Sequence, residues 1–354
     1  MSTKPKSSTA PSEQSPQLLS LKMTTPQIGW ALMGNQPELV RTTDGGNTWT
    51  AAMPSLRGTP YFYALDSQTA WLAMLQGASQ PTTVYVTNNG GISWQHGPTF
   101  ETHIAGGGSS ASGPLYFLNA QDGWLEEPSP GNAAGAASGQ GPGTPAPLYA
   151  TSDGGLHWHL LTGSLPSAGS LTFMSTKIGF LCSEDTAHPL YSTADGGVSW
   201  KPVVSFPTGV EVVDGPVFNG PDALTWAPQS PPTGIQFGTE SPVQLIASTD
   251  GGSTWTTRLS AFSVPAVDDV QVLSAMTAVA VTSDGAVHIT VDGGKTWTTN
   301  GPGSVLKPLL SKYMPQQIDF TSPSVGWLQL QLGPSFTCKW FRTLDGGRTW
   351  TLLQ

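Results

Sequence analysis

The chain has 354 residues, 38% of them hydrophobic, which is enough to bury a sizeable core as one large domain or two ordinary ones. Charged residues make up 10% and the net charge is −9 with 14 Lys and Arg, so there is no basic footprint for nucleic acid or an anionic membrane surface. No apolar run approaches the roughly 18 residues of a membrane helix, and 42 Gly with 31 Pro suit a protein of short strands and turns.

In chain order, residues 1–17 are nearly all Ser, Thr, Pro, Lys, Glu and Gln, too polar to bury enough surface to order themselves. They predict a flexible tail, either an added leader or the spacer that follows a removed secretory signal or anchor. The second origin implies an extracytoplasmic location, with the targeting segment absent from this chain. From Leu18 the sequence repeats. An apolar strand, Leu18 to Met23, is followed by Ile28-Gly29-Trp30-Ala31-Leu32 and then by a turn running from Thr42 to Trp49. Trp71 marks the same second strand before the turn Thr87 to Trp94. Gly123-Trp124-Leu125 precedes Thr151 to Trp158, and Ile178-Gly179-Phe180-Leu181 precedes Thr193 to Trp200. Trp226 precedes Ser248 to Trp255, and Val270 to Leu273 opens the unit that ends in Thr290 to Trp297. Val325-Gly326-Trp327-Leu328 precedes the last turn, Thr343 to Trp350.

Each turn reads Ser/Thr-x-Asp-Gly-Gly-x-x-Trp, the acidic position being Asp44, Asp153, Asp195, Asp250, Asp292 and Asp345, with Asn89 the substitute. The Asp side chain can accept from backbone N–H groups of its own turn, and paired glycines take positive φ without steric cost. The Trp that follows (Trp49, Trp94, Trp158, Trp200, Trp255, Trp297, Trp350) begins the outgoing strand, where its ring covers the turn. The repeat averages about 50 residues, the length of a four-stranded propeller blade. The fold class expected is therefore all-β: a seven-bladed β-propeller of four-stranded antiparallel blades at about 18–53, 60–97, 113–161, 169–204, 210–259, 268–299 and 316–354, with the turn box between strands three and four. Blade one owns its first strand and blade seven its fourth, so the ring is expected to close between whole blades. Twelve of the thirteen Trp fall at the two recurring sites and are assigned to packing. Trp340 falls outside them and is the Trp expected at the surface.

These boxes resemble the Asp-box, or BNR, repeats of sialidases, sortilin-type receptors and two-domain xyloglucanases. The fuller pattern, carried best by Arg41-Thr42-Thr43-Asp44-Gly45-Gly46 and Arg342-Thr343-Leu344-Asp345-Gly346-Gly347, is similar to the photosystem II stability and assembly factor propellers. That resemblance covers residues 18–354 and implies a propeller whose arginines gather on one side to receive a membrane-protein partner. Here the position before the box is Arg only in blades one and seven. A sialidase would need an arginine cluster and an Arg-Ile-Pro element, which the chain lacks, and the xyloglucanases place their two acids between two propellers, whereas this chain has one.

Box turns mark one face, and loops joining strands two to three and one blade to the next mark the other, where the long insertions Pro128 to Pro147 and Ala227 to Ser241 fall. Residues placed to reach that face or the channel mouth are Arg57, Tyr61, Tyr63, Glu101, His103, Glu184, His188, Trp226, Glu240 and Tyr313. Glu126 and Glu127 are the weak catalytic candidates, readable as a carboxylate pair or, more simply, as a solvated strand end. Gly293-Gly294-Lys295-Thr296 imitates a phosphate loop but precedes a strand, and His157 with His159 lacks a third metal ligand. No cofactor, metal, nucleic-acid partner or membrane insertion is expected. Cys182 and Cys338 fall on non-adjacent blades and are expected as free, mostly buried thiols. The function expected is that of a monomeric, non-enzymatic binding or assembly propeller for a protein or glycan partner. The alternative is a secreted glycoside hydrolase or carbohydrate-binding protein of the Asp-box class.

Overall fold

The computed structural model describes residues 18–34, 38–53, 59–75, 82–99, 115–126, 146–167, 169–183, 187–210, 212, 214–228, 241–264, 270–332 and 337–353. They form seven four-stranded antiparallel sheets, each with its strands in chain order. Blade one is Leu18–Met23, Gly29–Met33, Glu38–Thr42 and Thr50–Ala51; blade seven is Tyr313–Phe320, Gly326–Leu332, Thr337–Thr343 and Thr351–Leu352. First strands of neighbouring blades meet one another and so ring the axis. Second strands such as Gly179–Ser183 are buried along their whole length because both sheet faces are covered by neighbouring blades. Fourth strands such as His159–Leu165 alternate towards solvent at the rim. Blades one and seven share no strand, so the ring closes between whole blades. One short helix, Gly303–Leu306, drops Leu306 into the core between blades six and seven. The two cysteines form no disulfide, Cys182 being buried and Cys338 half-buried.

The Gly-Trp pair of the second strand has a clear physical cause. A Cβ on Gly123 would run into the Phe117 ring, and the same holds for Gly179 against Phe173 and Gly326 against Phe320. With glycine there, the ring lies flat on its own blade and presents its other face to the preceding blade. Trp71 stacks on Phe117 with centroids 3.6 Å apart and Trp124 on Phe173 at 3.5 Å. The aromatic rings are thus shared across the seam, where stacking adds to burial.

The box turn is built by reciprocal hydrogen bonds. In blade one Thr42 Oγ1 donates to Asp44 Oδ1 (2.8 Å) and accepts from the Gly46 amide (2.9 Å). Asp44 Oδ1 also accepts from the Thr48 amide (2.9 Å), and Oδ2 accepts from the Thr48 hydroxyl (2.6 Å). Asn89 keeps the acceptor for the Ser93 amide at 3.0 Å and turns its NH2 to Ser93 Oγ at 2.8 Å. His157 replaces the hydroxyl residue in blade three and sets Nδ1 2.6 Å from Asp153. The first glycine, at φ 78° in Gly45, also sends its amide to the turn between strands one and two, at Gln27 O (2.8 Å). The equivalent bond recurs in all seven blades, for example from Gly196 to Lys177 O and from Gly346 to Ser324 O. The box therefore buckles two turns of one blade together on one face.

Two outcomes follow. Gly123→Ala should lower stability by about 1–3 kcal/mol in urea unfolding, since its methyl must displace the stacked Phe117 ring. In Asp44, Asp195, Asp250 and Asp292, hydrogen bonds from the box hydroxyl and amide hold the carboxyl at about 2, below the roughly 3.9 of an unfolded chain. The folded state then binds fewer protons, so this stabilisation is complete above about pH 4 and is lost as pH falls through about 2. Replacing these four by Asn, as blade two does naturally, should flatten the acid limb of stability against pH.

Candidate functional site

Register identifies one equivalent position on every first strand. Lys22, Tyr63, Tyr116, Thr172, Val217, Gln271 and Asp319 each precede the strand's end and pair with the second-strand residue that enters the seam. Tyr63, Tyr116, Gln271 and Asp319 lean on the following blade. Tyr63 Oη donates to Phe117 O and Tyr116 Oη to Phe173 O, each at 3.0 Å. Burial raises both phenols above their ordinary range. Gln271 grips Phe320 at both ends, accepting from its amide at 2.5 Å and donating to its carbonyl at 3.3 Å.

Lys22 departs from this plan. Its side chain is 47% exposed, yet its Nζ lies 3.0 Å from the buried Asp319 carboxylate of blade seven and it also feels Asp214 of blade five. A blade-one ammonium that meets blades seven and five stands in the central channel. Asp319 holds Lys22 above its ordinary pKa despite the opposing effect of burial. Asp319 also accepts from the Met23 amide and, at 3.4 Å, from Gln271. Asp214 is pushed up by burial, with the Trp226 indole and Lys22 acting against that shift.

The remaining sequence candidates do not converge. Tyr61 is half-buried on the first strand of blade two, on the same side as Tyr63. His188 is exposed in blade four with its ring 6.0 Å from Tyr191, and Tyr313 is half-buried at the start of blade seven with Lys339 Nζ 6.0 Å from its ring centre. Arg57, Glu101, His103, Glu127, Glu184 and Glu240 lie outside the described residues, as do residues 128–145 and 229–240 of the long insertions.

Three expectations are corrected. Trp226 is fully buried between blades five and six, so it presents nothing to a binding face. Its position is also offset: Leu224 pairs with Ala247 as Trp30 pairs with Arg41, which puts Trp226 two residues beyond the seam site. Trp340 is 4% exposed and donates to Leu18 O at 3.1 Å, packing blade seven on blade one. Glu126 is 6% exposed and accepts from the Gly169 amide of blade four at 3.3 Å, where a solvated strand end was expected. Arg41 and Arg342 are equally committed. Their guanidinium carbons stand 5.6 and 5.5 Å from the Trp30 and Trp327 ring centres, and they donate to Ser67 O (3.0 Å) and Pro26 O (2.8 Å) of the following blade. Among the described residues no group of three or more His, Cys, Asp or Glu is arranged to hold a metal. No helix there is long and apolar enough to cross a membrane.

Lys22→Met should cost about 1–3 kcal/mol in urea unfolding, because the buried Asp319 carboxylate loses its ammonium partner while Lys22 itself is half in water. An Asp319→Asn, Lys22→Met double variant should recover part of that loss.

No family model matches the chain, and no curated protein matches it in sequence. Among solved structures it shares its fold with YCF48 bound to D1 peptide, at a TM-score of 0.58 and 17% identity over 93% of this chain and 94% of that one. YCF48 from Cyanidioschyzon merolae aligns with a TM-score of 0.56 and 13% identity, covering 96% and 98%. The GH74 xyloglucanase from Xanthomonas campestris gives a TM-score of 0.64 at 15% identity over 95% of this chain but 54% of its own, so this chain spans about half of that enzyme. The resemblance read from the turns, to photosystem II assembly factor propellers and xyloglucanases, holds as one of fold.

Proposed function

We propose that this protein is a non-enzymatic binding or assembly propeller that presents the face opposite the box turns to a polypeptide or glycan partner. The observation that carries this reading is the state of Glu126, the described member of the one candidate acid pair. Its carboxylate is buried and tied to the Gly169 amide of the next blade, which gives it a structural task between blades three and four. A group so employed is poorly placed to protonate a leaving group or to attack a sugar. YCF48 with a bound peptide, whose chain is matched over 94% of its length, supports a binding role by likeness of fold. The face itself is argued from loop placement: the long connections join strands two to three or pass between blades, while the box side is consumed by turn-to-turn bonding. On this reading the protein acts outside the cytoplasm as a monomer, and the boxes are of the Asp-box class with a purely structural role.

The alternative is a glycoside hydrolase or carbohydrate-binding protein, favoured by the fold shared with a GH74 xyloglucanase. One experiment separates the two. The full chain and a version lacking Pro128 to Pro147 are used to capture partners, and both are screened on polysaccharide substrates beside Glu126→Gln and Glu127→Gln. Capture that depends on the loop, without turnover, is the expected result. Turnover abolished by either Gln variant would establish the alternative.

A further inference from the structure

Between blades one and two the Trp30 indole donates to Asp66 O (3.4 Å). In five of the seven seams the carbonyl of the first box glycine accepts a side-chain N–H from the preceding blade. Gly45 O takes it from Trp327 (3.1 Å), Gly154 O from Trp71 (2.7 Å) and Gly196 O from Trp124 (3.0 Å). Gly293 O takes it from Arg258 (2.6 Å) and Gly346 O from Asn300 (2.9 Å). Where an arginine precedes the box, its guanidinium also lies over the glycine of the next blade. Arg41 comes within 3.1 Å of the point where a Cβ of Gly90 would stand, and Arg342 covers Gly45 in the same way.

Between blades four and five both devices are missing. Phe180 pairs with Ser192 in the register where Trp30 pairs with Arg41 and Trp327 with Arg342. Phenylalanine has no N–H, and serine is too short to cross the seam. No donor among the described residues reaches Gly251 O, and nothing lies within 4 Å of where a Gly251 Cβ would be. The result is an open groove of about 650 Å³, lined by Ile178, Phe180, Ser192, Val204, Gly251 and Ser253 among others. Val204 is 93% exposed and Ile178 46% exposed along it. Lys201, opposite Ser192 on the fourth strand, stays exposed and does not line the groove.

We propose that this groove binds the arginine side chain of a partner polypeptide, its guanidinium lying over Gly251 as Arg41 lies over Gly90 and Arg342 over Gly45, and donating to the glycine carbonyl as Arg258 does to Gly293 O. The planar group lies over Gly251, donates to Gly251 O and rests its aliphatic stem on Ile178 and Val204, while Phe180, 3% exposed and stacked on Phe218 at 5.0 Å, forms the apolar floor. The chain's own indole donors arrive from the second strand, where Phe180 already stands, so the space left is the one a guanidinium fills from solvent. Lysine lacks the flat fork that can lie on the backbone at Gly251 and reach its carbonyl together. Charge agrees: the chain carries −9, and the ionised Asp195 and Asp250 adjoin the groove-lining Ala194 and Gly251. This site lies on the box side and is independent of the partner face proposed above.

The test is titration of the full chain with N-acetyl-arginine amide, followed by backbone amide NMR. Saturable shifts at Gly251, Gly252 and Ser253 are expected, with N-acetyl-lysine amide several-fold weaker. Ser192→Arg should abolish them by filling the groove from within, while distant amides keep their native shifts. Val204→Lys, a change at a fully solvated side chain that leaves the core untouched, should weaken the arginine titration several-fold and provides the test if Ser192→Arg fails to fold. The proposal is overturned if wild type shows no saturable shift there, if lysine matches arginine, or if the folded variants titrate like wild type.

Discussion

The seam between blades is the contact on which the rest of the structure depends. Each blade is a thin sheet whose two faces are apolar, and neither face is stable until a neighbour covers it. The cover is specific. A glycine at the start of the second strand lets an inner-strand ring lie flat on its own blade, and the tryptophan of the preceding blade stacks on that ring while its N–H satisfies a box carbonyl. Apolar burial and polar satisfaction are met by one side chain, which matters because a buried backbone carbonyl without a donor is costly. The same logic closes the ring without an exchanged strand. Trp327, Trp340, Arg342 and Asp319 of blade seven all bond to backbone of blade one, and Lys22 returns the contact from the channel.

This demand on side chains limits what remains for function. The box hydroxyls and carboxylates point into their own turns, and the arginines before the box are spent across seams. Glu126 is spent in the same manner, tying blade three to blade four. A residue type that signals binding or catalysis elsewhere is thus a weak signal in a propeller, where polar side chains are the fasteners between repeating units. The pair of Lys22 and Asp319 is best read this way too: Lys22 reaches water while Asp319 is buried, and together they join the two ends of the ring.

What was legible in the sequence was whatever recurs locally. Seven boxes at a blade-length period gave the architecture, and the Asp, the glycines and the following Trp each had a turn-level cause. What was not legible lies one unit away or at the far end of the chain. Trp340 looked like a surface residue because the strand that buries it, Leu18–Met23, is more than 300 residues distant. Trp226 looked equivalent to Trp30, because composition shows a tryptophan on a second strand but not a register offset of two. The glycine before Trp is visible as a pattern, yet its reason, a ring from the first strand pressed against it, needs the sheet pairing. Lys22 and Asp319 carried no signal at all, being single charges in apolar strands that only ring closure brings together.

Regularity also makes exceptions informative. A lone Phe180 in place of a Trp, or Ser192 in place of an Arg, is an unremarkable substitution when either is viewed alone. They become significant because they face each other in one seam, and because the carbonyl they leave without a donor is satisfied in the same way at five other seams. The box side was expected to be the inert face, since its turns bond to one another. That expectation holds wherever a tryptophan, arginine or asparagine completes the seam and fails where none does. In a repeat fold, a candidate site is therefore better sought as a broken repeat than as a cluster of reactive residues, since the intact repeats show what the broken one lacks.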